Sequence, residues 1–351
     1  MITAELRRAI LTATGLPDAD PLLRPGAAPG RYASSLPFRL ARHGQDPREV
    51  AADLAARLGG EPWIEAAEAT GAGYLTVAVT HDALAGLAVR ITLAGPACAA
   101  SDSMRGRAVP APPPPDLAAE PGWPRARAAL AAHLTARLAA AAGATLIFNP
   151  ERAVVTPPES LPPPGPRRAS RQLPAPMPFQ PAPPQPESVA AAVAYAGADA
   201  IRFALARMPP GGAAPQAAAV ARHVLGNPAY AVRYAHAAAA AVLRWAAALG
   251  TRPAGPHEFR PRLLAEPGEL ALLDALSWLP ERVAGAARRG RPDEFAGYLE
   301  GLAARTIDAM STTSFANVSD ISSERLWLAA AARTALATGL GLLGVSAPDR
   351  L

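Results

Sequence analysis

Six histidines, one cysteine and no lysine limit what chemistry this 351-residue chain can do. His43, His81, His133, His223, His236 and His257 show neither HxxxH nor HxH spacing, and Cys98 has no second cysteine to pair with. No metal site, cofactor or internal disulfide is therefore expected. All 34 basic residues are arginine, which excludes Schiff-base catalysis and phosphate loops built on lysine. No GxSxG stretch supports a nucleophilic hydrolase. "GLGLLG" at 339–344 fits GxGxxG in letters only, because a dinucleotide loop needs a strand before it and a helix after it. Here a helical pattern precedes the glycines, so they read as a helix stop and a buried turn. No catalytic residue is assigned, and the chain is expected not to be an enzyme.

One cluster remains. "NPAYAVRYAHA" (227–237) starts a helix at Asn227 and sets Tyr230 and Tyr234 four apart on one face, with Arg233 and His236 three apart on an adjoining one. Aromatic faces beside arginine suit stacking and hydrogen bonding to unpaired RNA bases. The other reading is core packing with the hydroxyls at its edge, and the residues alone leave both open.

The elements that must hold this cluster are mostly helical. Half the residues are hydrophobic while aromatics are only 5%, which predicts helices packed through alanine. The pattern from Thr3 to Thr14 is helical and stops at Gly15. In "DPREVAADLAARLGG" Asp46 caps, Pro47 takes the first helical position, Glu49 completes a capping box, and Val50, Leu54 and Leu58 make one apolar face. "WIEAAEA" and "YLTVAVT" read as a hairpin pair, and "HDALAGLAVRITLAG" as helix. Residues 126–142 are helical and "ATLIF" reads as a single buried strand. Prolines in 157–186 forbid helix or central strand and mark an extended linker. From Glu187 onward five or six helices suggest a bundle.

Net charge is +5, spread as −1 over residues 1–100, +3 over 101–190 and +3 over 191–351. That permits a phosphate backbone as partner without demanding one. The start lacks the order of a signal peptide, and the apolar run Ala235–Leu249 is interrupted by Arg244, so a soluble cytoplasmic protein with no membrane contact is expected.

The quoted cluster, with "GADAIRFALAR" (197–207) before it and "LGLLGVSAPDRL" (340–351) after it, resembles the anticodon-binding (DALR) domain of class I arginyl-tRNA synthetases, three motifs in the family's order. "RYASSLPFRLAR" (31–42), "DPREVAADLAARL" (46–58) and "GAGYLTVAVTHDAL" (71–84) resemble the family's N-terminal domain. Between them the family carries a catalytic domain of a few hundred residues with a histidine motif and a lysine loop. Here about 90 residues intervene, of which 126–148 resemble the helix and strand following the histidine motif. Where the family usually reads close to NPVYYVQYAHAR, this chain has Ala231, Arg233 and Ala238.

The resemblance implies an α+β, mainly α chain: a small N-terminal domain at 1–95, a truncated catalytic remnant at 96–156, the proline-rich linker at 157–186 and a helical anticodon-binding domain at 187–351. It implies a non-catalytic paralogue that binds tRNA. Asn227, Tyr230, Arg233, Tyr234, His236 and Arg244 would meet the anticodon stem-loop, and Tyr74 with Thr76 would meet the D-loop. Arg222, Arg288, Arg289 and Arg291 join Arg244 as phosphate contacts. The alternatives are an interaction scaffold that holds a protein partner and no longer binds RNA, and an arginine–tRNA ligase.

Overall fold

The computed structural model describes residues 1–16, 19–41, 45–148, 188–312 and 321–351; the expected linker lies outside them. Helix α1 (Ile2–Thr14) ends on Gly15, whose φ of 68° supplies the left-handed turn that favours glycine. Helix α3 (Pro47–Leu58) starts as expected at Asp46, whose carboxylate accepts from the N–H of Arg48 at 2.9 Å. The expected hairpin is strands β3 (Ile64–Thr70) and β4 (Tyr74–Val79), paired antiparallel. Two short strands not foreseen, β1 (Leu23–Pro25) and β2 (Arg31–Ser34), extend it to a four-stranded antiparallel sheet of order β1-β2-β4-β3. The short helix α2 (Leu36–Leu40) follows β2.

Helices α4 (His81–Ala85) and α5 (Leu87–Ala94) meet at Gly86. By length and composition the stretch His81–Ala99 could cross a membrane, a candidate missed in the sequence. In the fold α5 and the 3-10 turn Gly95–Ala99 pack on the last helix of the chain, so their apolar side is spent on the core. Next come β5 (Ala108–Pro110), α6 (Trp123–Ala141) and β6 (Thr145–Ile147), with β5 and β6 parallel. "ATLIF" does hold a strand, but not a buried one. Ile147 is 48% and Phe148 76% exposed, because among the described residues β6 pairs only with β5 and the pair rests chiefly on α6.

Among the described residues from Ser188 onward the α-helices are α7 (Val189–Ala196), α8 (Ala198–Ala206), α9 (Ala217–Val220), α10 (Pro228–Ala248), α11 (Pro267–Ser277), α12 (Leu279–Arg289), α13 (Pro292–Met310) and α14 (Ser323–Leu342). Gly197, at φ 86°, turns α8 by 119° from α7. Helix α10 lies against α13 and α14, and these two cross so closely at Gly339 that a Cβ there would overlap Leu299 Cδ2. Small residues on α10 and α14, such as Ala235, Ala239, Ala331, Ala332 and Ala335, are buried and let the backbones approach.

The N-terminal sheet and the bundle share one core. The Tyr32 hydroxyl donates to Ser277 Oγ at 2.8 Å, Thr3 Oγ1 donates to the Ser277 carbonyl at 2.6 Å, and the Gly30 N–H donates to Asp274 at 3.0 Å. Helix α6 is braced on the same body, Arg137 donating to the carbonyl of Gly341 at 2.6 Å. The surfaces on α10 and on the sheet are thus carried by one packed scaffold.

Candidate nucleic-acid interface

Asn227 is the cap that sets where α10 begins. Its Oδ1 accepts from the Ala229 N–H at 3.2 Å, and its Nδ2 donates to the carbonyls of Val220 and Arg222 at 2.7 and 2.6 Å. The side chain is buried and spent on binding the preceding loop to the helix, with Pro228 at the first helical position.

One turn on, Tyr230 and Tyr234 stack at 5.8 Å, and Tyr230 also stacks on His223 at 5.3 Å with the rings only 12° from parallel. The ladder opens to solvent, His223 being exposed and Tyr234 37% exposed. Beside it a groove of about 560 Å³ runs between α10 and α13, lined by Tyr230, Tyr234, Arg244, Trp245, Met310 and Leu351 among others. Sequence reasoning passed over two rings here. Trp245 stands eleven residues after Tyr234, three helical turns along the same face, a signal that was available. His223 sits in a loop, where no periodicity could place it.

Arg233, His236 and Arg244 turn to a different task. They face the segment 345–351, which runs back along α10: Arg233 Nη2 lies 3.4 Å from Ser346 Oγ, His236 Nδ1 is 3.0 Å from the Pro348 carbonyl, and Arg244 Nη1 donates to the Asp349 carbonyl at 2.6 Å. The Asp349 carboxylate takes a two-armed ion pair from Arg333 at 3.0 and 2.9 Å. His236 is 2% exposed, and burial lowers its pKa against the opposing pull of the Pro348 carbonyl and Asp349. A histidine with a depressed folded-state pKa stabilises the fold fully above its unfolded value of about 6.5, and that contribution is lost as pH falls toward the folded value. The melting temperature of the wild type is therefore expected to fall from pH 7.5 to pH 5.5 more than that of His236→Gln, as thermal melts followed by circular dichroism would read.

On the sheet, Tyr74 is 39% exposed and meets Phe38 edge-on at 4.9 Å. Phe38 was not singled out in the sequence, since α2 joins β4 only in three dimensions. Thr76 is half-buried, and its hydroxyl pairs with that of Thr70 at 2.7 Å across the hairpin.

The arginines divide. Arg288 pairs with Glu281 at 2.7 Å, Arg289 with Glu294 at 2.8 Å, and Arg291 takes both oxygens of Asp293 at 2.8 and 2.6 Å. The hydrogen bond to Asp293 raises the Arg291 pKa. These three are largely neutralised where they stand. Arg222, next to His223, is exposed and has no ion-pair partner among the described residues.

Comparison with known proteins adds what the geometry leaves open. Residues 1–79 match the arginyl tRNA synthetase N terminal domain family, and residues 232–351 the DALR anticodon binding domain family. The Arginine--tRNA ligase of Kineococcus radiotolerans is 47% identical over 130 residues, which are 36% of this chain and 23% of that protein. That of Renibacterium salmoninarum is 40% identical over 165 residues, 45% of this chain and 29% of that one. The chain thus spans less than a third of the length of these curated relatives. The fold matches a Thermus thermophilus arginyl-tRNA synthetase with a TM-score of 0.69 at 16% identity, covering 100% of each chain. The expectation of a non-enzyme is corrected by these findings: the relatives are named Arginine--tRNA ligase, and the fold matches that of a protein named arginyl-tRNA synthetase.

Proposed function

We propose that this arginyl-tRNA synthetase-related chain binds tRNA, its α10–α13 groove taking unpaired bases of the anticodon stem-loop and its Phe38–Tyr74 pair meeting the D-loop. The observation that carries this reading is the ladder His223–Tyr230–Tyr234, open to solvent at the edge of a groove that also holds the 59% exposed Trp245. A core would have closed over four rings so placed. Their open faces stack on bases of any sequence, while Arg222 and Arg244 stand where a backbone passing the ladder would bring its phosphates. Arginine–tRNA ligation, named for the relatives, is the reaction that such binding serves, and arginine-dependent charging of tRNA by the full chain measures it directly.

The binding test is a titration of the full chain with total tRNA and with arginine-tRNA transcripts across a salt series. The expected result is binding whose log K falls linearly with log salt concentration. Absence of binding at low salt would sink the reading.

A further inference from the structure

The segment 345–351 is pinned at two consecutive residues and then left free at the next. Pro348 is held through its carbonyl by His236, and Asp349 is held twice, through its carbonyl by Arg244 and through its carboxylate by Arg333. Arg350 follows, exposed, without an ion-pair partner among the described residues, and lining the same groove as Tyr230, Tyr234 and Trp245.

We propose that Arg350 binds a phosphate of the RNA strand whose bases enter the α10–α13 groove, and that Asp349 is the residue that positions it. The inference rests on the tRNA reading above and adds a contact to it. Charge decides the assignment. The Asp349 carboxylate is neutralised by Arg333, so the groove keeps the charges of Arg244, whose bond to a carbonyl removes none of its own, and of Arg350. Arg244 has one arm committed to the Asp349 carbonyl, whereas Arg350 has its whole fork free for the paired N–H bonds that a phosphate accepts. A guanidinium on an untethered segment would lose most of its advantage to side-chain and backbone entropy. Three pins on the two preceding residues reduce the backbone part of that loss.

The test uses the full chain and an unmodified arginine-tRNA transcript, with affinity followed over a salt series. Arg350→Gln is expected to make the slope of log K against log salt shallower by about 0.7 to 1, the loss of one phosphate contact. Arg57→Gln, outside the groove on α3 and paired with Asp53, is expected to leave the slope unchanged. Asp349→Asn keeps the backbone carbonyl for Arg244 but breaks the pair with Arg333. It is expected to weaken binding in the wild type and to change little once Arg350 is already glutamine. Tighter binding by Asp349→Asn would mean that its carboxylate only opposes the RNA, and full additivity would mean that it does not act through Arg350. Either outcome overturns the positioning role. An unchanged slope for Arg350→Gln, with the wild type still binding, overturns the phosphate contact. A wild type that binds no tRNA overturns the parent reading instead.

Discussion

Tyr32→Ala is expected to lower the stability of the chain by about 3–5 kcal/mol, the range for deleting a large buried aromatic side chain. Tyr32 stands in the middle of β2 and is fully buried, its ring 5.4 Å from that of Trp278 at the junction of α11 and α12. Burial raises its pKa and keeps the hydroxyl protonated, so it donates to Ser277 Oγ. The alanine variant would leave a cavity between sheet and bundle and strip one acceptor of its donor. Tyr32→Phe separates the two effects. It keeps the ring, and Ser277 still donates to the Asp274 carbonyl at 2.7 Å, so the cost should be about 0.5–1.5 kcal/mol, that of one hydrogen bond. Urea unfolding followed by tryptophan fluorescence reads both. If Tyr32→Ala costs no more than Tyr32→Phe, the sheet does not depend on this ring for its seat on the bundle.

Nothing in the sequence announced that seat. Periodicity and capping gave α1, α3 and the β3–β4 hairpin, because each signal lies within a dozen residues. They could not give β1 and β2, of three and four residues, which are strands only because β4 offers its edge to β2 and β2 its own to β1. Nor could it tell that β6 stays exposed, since burial depends on what other elements cover. The candidate interface shows the same division. The two tyrosines were legible because helical spacing fixes their common face. Arg233, His236 and Arg244 share α10 with them, yet the segment 345–351, about a hundred residues onward, decides that Arg233 meets the Ser346 hydroxyl and that His236 and Arg244 hold backbone carbonyls. Phe38 and His223 came to their sites by tertiary folding alone.

The binding surface is expected to fail ring by ring. Tyr230→Ala breaks the ladder at its centre, since Tyr230 stacks on both His223 and Tyr234, and Trp245→Ala removes the largest open ring lining the groove. Each ring that stacks a base is worth about 1–3 kcal/mol, so each substitution should weaken tRNA binding about 5- to 150-fold. Stacking neutralises no phosphate, and so the salt slope should stay that of the wild type while the affinity falls at every salt concentration. That combination separates the rings from the arginines, whose loss changes the slope. Tyr230 is half-buried and Trp245 mostly exposed, so Trp245→Ala should leave the melting temperature nearly unchanged and serves as the cleaner variant. Wild-type affinity in both variants would move the RNA off α10. A loss for Tyr230→Ala alone, accompanied by a lower melting temperature, would mean that the ladder supports the fold and the groove holds no base.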